Sequence, residues 1–243
     1  MIPLFKPYIP DELPELDAIL RSGALSYAKW GKLFEKKLGE YTGEPRILTT
    51  NSYNSAMLVT LSVIGIKPGD EIIASPISCL ASNQPFVTQN LKVVWADIDP
   101  LTGTLNPESV KSKISSKTKA IFHNHFCGYV GYIDEINQIG KENGIVVVDD
   151  AIEAFGSEYK NKRIGNTGTD MTVYSFQTVR LPNTIDGGAI VFNNEELYNK
   201  AVLVRDFGID RTKFRDELGE ISPECDVSIS GYGATLNEIN SYI

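Results

Sequence analysis

Seven short apolar runs rich in β-branched residues, separated by stretches of helical period, constrain this chain more than any other feature. The runs are RILTT (46–50), EIIAS (71–75), KVVWADI (92–98), KAIFHNHF (119–126), IVVVDD (145–150), MTVYSF (171–176) and GAIVF (188–192). Between most of them lie helical patterns: NSAMLVTLSVIGI, ASNQPFVTQN, NPESVKSKI and IDEINQIGKENG. Strands alternating with helices predict crossover units and a mainly parallel sheet covered on both faces. The IVVVDD run is apolar on both sides, as a central strand of such a sheet must be. PDELPELDAILRSG and WGKLFEKKLGEYTG add helices at the front, and NEELYNKAVLVRDFG adds one near the back. The terminal stretch SGYGATLNEINSYI reads as one further helix with no glycine cap after it, so the expectation is a large domain, residues 1–243, whose continuation is missing.

Composition narrows the classes of function. With 42% hydrophobic and 22% charged residues, the chain has the make-up of a folded globular domain rather than a disordered one. Its net charge of −8 and lack of a basic cluster argue against nucleic acid. No apolar run approaches the roughly 18 residues of a membrane span. The opening MIPLFKPYIPDELPEL lacks the basic and apolar regions of a secretory signal. Three widely spaced cysteines without a CxxC pair point to reduced thiols and a cytoplasmic setting. Two histidines, His123 and His125, make a histidine-based metal site an unfavoured expectation, and no metal is assigned.

Three constellations could carry chemistry. In TTNSYNSAMLVTL a strand runs through a polar turn into a helix, which leaves the amides of Asn54 and Ser55 at a helix N-terminus suited to a phosphate. Ordinary capping by Ser52 or Asn54 explains the same residues. In VVVDDAIEAFGS two acids end a buried strand, where open α/β sheets place ligands and where a carboxylate could hold a protonated ring nitrogen. Helix capping by Asp149 or Asp150 is the plain alternative. In SFQTVRLPNTIDGG, Ser175 and Gln177 follow a strand, and Asp186, Gly187 and Gly188 allow a tight turn before the next one.

Taken in this order, the three constellations resemble the DegT/DnrJ/StrS family of pyridoxal-phosphate-dependent sugar aminotransferases. IPLFKPYIP, LRSGALSYAKWGKLFEKKLGEYTG, GIKPGDEIIASPISCLASNQPF, VVWADIDPLTGTLNPESVKSKISSKTKAI, IVVVDDAIEAFGSEYKNKRIG, RDFGIDR and GYGATLNEINSYI extend the match across nearly the whole chain. The resemblance implies the three-layer large domain of a fold-type-I enzyme, with a seven-stranded, mostly parallel sheet and helices on both faces. It implies a cofactor, pyridoxal 5'-phosphate, with Asp150 on the pyridinium nitrogen and the Asn54 and Ser55 amides and Ser175 hydroxyl on the phosphate. Gln177 belongs to the same cofactor loop. Glu153 falls near the cofactor's phenolic oxygen, where a glutamine is common, and Cys79 where many members stack an aromatic ring. Tyr53 stands where the phosphate turn usually has glycine, which predicts hindered backbone approach, and Phe155 replaces a common histidine. On the family pattern Tyr53, Phe155 and Glu153 share one pocket with position 180. The family also implies a keto-sugar nucleotide and an amino-acid donor as substrates, a small C-terminal domain, and a homodimer with Arg205 to Arg211 near its interface.

The main departure is Arg180, at the position of the lysine that forms the Schiff base and shuttles the proton. A guanidinium stays charged, offers no amine to an aldehyde and is a poor base. Lys162 and Lys200 lie too far along the chain to replace that lysine. Three readings follow: a lysine-free relative or pseudoenzyme that uses its cofactor without covalent anchoring, an incidental or engineered substitution in an aminotransferase, or a binding protein whose cation fills the cofactor's place. The family includes a sugar dehydratase with histidine at this position. The rival from another class is a catalytically dead interaction or regulatory subunit paired with an active homologue.

Overall fold

The computed structural model describes residues 6–243, so the first residues of the IPLFKPYIP block lie outside the described residues. Helix α1 (Leu16–Arg21) and helix α2 (Lys29–Thr42) precede strand β1 (Ile47–Thr50). Then follow α3 (Tyr53–Ile64), β2 (Glu71–Ala74), α4 (Leu80–Thr88), β3 (Lys92–Trp95), α5 (Pro107–Lys113) and β4 (Thr118–Asn124). Next come α6 (Ile133–Asn143), β5 (Val146–Asp150), a small hairpin of β6 (Glu158–Tyr159) and β7 (Lys162–Arg163), β8 (Met171–Ser175) and β9 (Gly188–Phe192). Helices α7 (Glu195–Arg205) and α8 (Glu238–Tyr242) complete the order.

All seven apolar runs of the sequence become strands of one sheet, in the order β1-β9-β8-β5-β4-β2-β3. Only β9 runs against its neighbours, pairing antiparallel with β1 and β8; the remaining pairs are parallel. This is the expected seven-stranded, mostly parallel architecture. Because the side-chain period of a strand is two, alternate residues face opposite layers. Leu48, Phe122, Val148, Val173 and Ile190 face a core shared with α3, α4 and α7. Ile47, Tyr174, Ala189 and Val191 face α2, while Ile73, Ile121 and Val147 face α5 and α6.

Two helices differ from the sequence expectation. The first is short, starting only at Leu16, because Pro10 and Pro14 interrupt the earlier turns. The last begins only at Glu238, after Asn237 caps it by accepting from the Asn240 amide at 2.8 Å. Residues before it are extended: Thr235 bridges Thr50 and Gly233 bridges Asp206. The short helix serves α2, whose N-cap Ala28 has no side-chain acceptor. Glu238 supplies one instead, taking the amides of Ala28 and Gly31 on Oε1 at 2.8 and 2.9 Å and that of Trp30 on Oε2 at 2.9 Å. A buried carboxylate at a helix N-terminus meets both the open donors and the positive end of the dipole.

Candidate functional site

Parallel strands bring their C-terminal ends to one edge, and the candidate residues collect there. Asn124 ends β4, Asp150 ends β5 and Ser175 ends β8, all on the face that α3 covers. The DGG turn returns the chain to this edge at the start of β9. A β-carbon on Gly188 would lie 2.8 Å from the Ser52 carbonyl oxygen and 2.9 Å from the Tyr53 Cα. Only a residue without a side chain lets β9 pass so close to the first turn of α3.

That first turn is capped by Ser52, whose Oγ accepts from the Ser55 amide at 3.1 Å and lies 3.0 Å from the Ser55 hydroxyl. Asn54 is exposed beside it. Ser175 is buried, and its Oγ accepts from the Gln177 amide at 3.4 Å, with the Gln177 side chain turned to solvent. The α3 N-terminus, Ser175 and the glycine turn lie at one edge, Ser175 pairing with Gly188, and the Ser55 amide is taken by the Ser52 cap.

The ring end of the site is built differently. Asp150 is 1% exposed and both its oxygens are engaged. Oδ1 accepts from the Tyr53 hydroxyl at 2.7 Å and the Ile152 amide at 3.3 Å, and Oδ2 accepts from the Asn124 side-chain amide at 2.7 Å. Tyr53 does not crowd the phosphate turn as its sequence position suggests. As the first residue of α3 it points into the core, where its hydroxyl also lies 3.3 Å from the Ser82 Oγ. Burial, and then the charge of Asp150, push the Tyr53 phenol well above its ordinary pKa, so it remains a donor. A void of about 10 Å³, room for about one water, lies between Asp150, Asn124, Ser82 and Phe86. The ring seat in this structure does not fit the cofactor implied by the sequence, since Tyr53 and Asn124 engage both oxygens of Asp150.

Arg180 closes the outer end. Its Nη1 donates to Glu153 Oε1 at 3.2 Å, and its Nη2 lies 3.9 Å from the Cys79 Sγ; the pair is about one-fifth exposed. Glu153 Oε2 accepts from the Cys127 amide at 2.9 Å, and the Cys79 thiol faces Oε1 at 3.6 Å. Burial, with the Glu153 charge added, pushes the Cys79 thiol up against an opposing pull from Arg180. Glu153→Gln keeps the acceptor for Cys127 but removes the anion. Cys79 is therefore expected to alkylate several-fold faster near neutral pH, since the thiolate is the reactive form. Residue-resolved iodoacetamide labelling measures this, and an unchanged Cys79 rate would contradict it.

Phe155 lies elsewhere. It stacks on Tyr41 at 5.1 Å and meets Tyr174 and Phe176 edge-on, in the layer behind the sheet. It therefore belongs to the core and does not share a pocket with Tyr53 and Arg180. Arg205 is also turned inward: its Nη1 donates to Glu35 at 2.5 Å and to the Thr49 carbonyl at 2.9 Å, and its guanidinium covers the Tyr27 ring at 4.5 Å. Arg211 remains on the surface, paired with Asp206.

Both histidines fall in one buried cluster, which spacing along the chain did not reveal. His125 Nε2 lies 3.1 Å and His123 Nδ1 3.7 Å from Asp149 Oδ1, all fully buried. The H-x-H spacing puts the two rings on the same side of β4, and β4–β5 register sets His123 beside Asp149. The Gly131 amide donates to His125 Nδ1 at 3.5 Å. His125 Nε2, both His123 ring nitrogens and Asp149 Oδ1 have no hydrogen-bond partner among the described residues.

A seven-stranded, mostly parallel sheet with one reversed strand and helices on both faces matches the fold of fold-type-I pyridoxal-phosphate aminotransferases. Residues 8–243 match the DegT/DnrJ/EryC1/StrS aminotransferase family, and the chain belongs to it. An uncharacterized protein of Methanocaldococcus jannaschii is 31% identical over the whole chain, which spans 63% of that relative. A pleiotropic regulatory protein of Geobacillus stearothermophilus is 30% identical over 86% of the chain and 56% of its own length. The sugar aminotransferase CalS13 of Micromonospora echinospora superimposes with a TM-score of 0.91 at 28% identity, covering all of this chain and 66% of that one. The chain thus spans less than two thirds of the length of these relatives. No helix among the described residues is long and apolar enough to cross a membrane.

Proposed function

We propose that this chain is a nucleotide-sugar aminotransferase-like protein of sugar-nucleotide or surface-polysaccharide biosynthesis that does not transfer amino groups. Its role is that of a cytoplasmic interaction or regulatory subunit, as a homodimer or beside an active homologue. The observation that carries this reading is the Arg180–Glu153 ion pair. Position 180 offers neither a free amine nor a base, and the cation is neutralised by the acid that would otherwise face a ligand. The same pairing removes the proton carrier that a lysine-free dehydratase would need. Any pyridoxal phosphate held by the Asn54–Ser55 turn is non-covalent, and a keto-sugar nucleotide and amino-acid donor would be bound without turnover. The regulatory name carried by the Geobacillus relative accords with this role, and the three unpaired cysteines accord with a reducing compartment. Phe207, 56% exposed between Arg205 and Arg211, gives the proposed dimer contact an apolar point.

Amino transfer from glutamate to a keto-sugar nucleotide in the presence of pyridoxal phosphate is expected to be at least about 10²–10⁴-fold slower than for a lysine-bearing relative. Turnover at a comparable rate sinks the reading. Light scattering of the same sample is expected to give a dimer, and a monomer at micromolar concentration counts against the assembly.

A further inference from the structure

We propose that the ring seat beside Asp150 is occupied by the chain's own Tyr53, so that a phenol stands where a pyridine would stand and the domain excludes the cofactor ring. This inference goes beyond the loss of transamination at Arg180 and does not depend on it. A protonated pyridine brings a flat six-membered ring with one N–H donor directed at a carboxylate. Tyr53 brings a flat six-membered ring with one O–H donor, and that donor is 2.7 Å from Asp150 Oδ1. Position follows from geometry: as the first residue of α3, Tyr53 turns into the core and its hydroxyl reaches Asp150 at the end of β5. A glycine at this position would leave vacant the space the phenol fills between Asp150 and Ser82.

The rest of the seat is consistent with an internal occupant. Asn124 satisfies the second carboxylate oxygen at 2.7 Å, which leaves Asp150 without need of an outside donor. Tyr53 is 5% exposed and packs with Ala56, Phe86 and Phe122 in the same core. The void of about 10 Å³ between Asp150, Asn124 and Ser82 has room for about one water. A ring can reach Asp150 Oδ1 only if Tyr53 leaves, and leaving costs that oxygen its shorter hydrogen bond, with the Ile152 amide at 3.3 Å remaining. The competent form is therefore a minor state, and the apparent affinity falls by its fraction.

The test uses the full chain and pyridoxamine 5'-phosphate, which has no aldehyde and so forms no imines with surface lysines. Equilibrium dialysis is expected to show no saturable binding to the unmodified chain at millimolar ligand. Tyr53→Gly is expected to gain binding by about 100-fold or more, as the competent fraction rises. Asp150→Asn in the Tyr53→Gly background is expected to lose much of that gain. Tyr53→Phe keeps the ring in the seat and is expected to bind no better than the unmodified chain. Tyr53→Ala, judged folded by circular dichroism, replaces Tyr53→Gly should the glycine variant not fold. Saturable binding to the unmodified chain equal to that of the opened variants overturns the proposal, as does equal gain from Tyr53→Phe. If the unmodified chain binds the ligand yet transfers no amino group, this inference fails while the reading built on Arg180 stands.

Discussion

Arg205→Ala is expected to lower the unfolding free energy by about 3–5 kcal/mol, the usual cost of removing one partner of a buried ion pair. Arg205 is 5% exposed, and its loss leaves the Glu35 carboxylate, with a side chain 13% exposed, without its cation. Glu35 would still accept from the Tyr27 hydroxyl at 2.5 Å and from the Thr49 amide and hydroxyl at 2.8 and 2.9 Å. Those donors are neutral and do not replace the charge. The guanidinium also ties α7 to the Thr49 carbonyl in β1, one strand residue from the turn that enters α3. Urea denaturation measures the loss. Adding Glu35→Gln to Arg205→Ala is expected to recover part of it, because the uncompensated charge disappears. A single variant within about 0.5 kcal/mol of the unmodified protein would show that the pair contributes little.

Acid is expected to destabilise the fold well above the range where carboxylates titrate. His123 is fully buried, and desolvation, with the charge of neighbouring His125 added and that of Asp149 opposing, depresses its pKa from 6.5 to about 3. The unfolded chain therefore takes up this proton first. Stability is full above pH 6.5 and falls as pH drops toward 3, by up to about 1.4 kcal/mol per unit. Asp149, also held below its ordinary value despite burial by His125 and His123, adds to the loss below about pH 4. Neither ring nitrogen of His123 has a hydrogen-bond partner, so His123→Leu leaves no broken bond behind. Urea midpoints between pH 7 and 4.5 are expected to slope down in the unmodified protein and to flatten in His123→Leu. Equal slopes would assign the acid sensitivity to other groups.

The strands were legible because each needed only a local signal, a β-branched run between turn residues, and every run found a place in the sheet. The reversed strand β9 was not, since direction follows from the DGG turn's return beside α3 rather than from any residue in GAIVF. At the site, Asp150 and Ser175 could be placed from their positions at strand ends. The orientation of Tyr53 could not, because the sequence shows a helix start but not which way its first side chain swings. Phe155 follows the same rule in reverse: a family position suggested a pocket residue, and the local aromatic partners Tyr41, Tyr174 and Phe176 drew it into the core. The histidine–Asp149 cluster depends on pairing between strands 26 positions apart at His123↔Asp149, a distance no local pattern spans. The last helix was overread: Tyr232, Ala234 and Leu236 in GYGATL alternate at the strand period, and Gly233 and Thr235 bridge Asp206 and Thr50.

The Glu238 cap gives the order of events in folding a constraint of its own. Helix α2 has 14 residues and ends on a left-handed glycine, Gly43, yet it brings no acceptor to its own first turn. The amides of Ala28, Trp30 and Gly31 wait for a side chain 207 to 210 positions away. Closing a loop of that length precedes any gain from the contact, so the first turn of α2 gains its full stability only after the sheet has brought residue 238 back. Its lower turns, packed by Leu38 against β1, can form earlier. A helix that stands near the front of the chain thus finishes among the last.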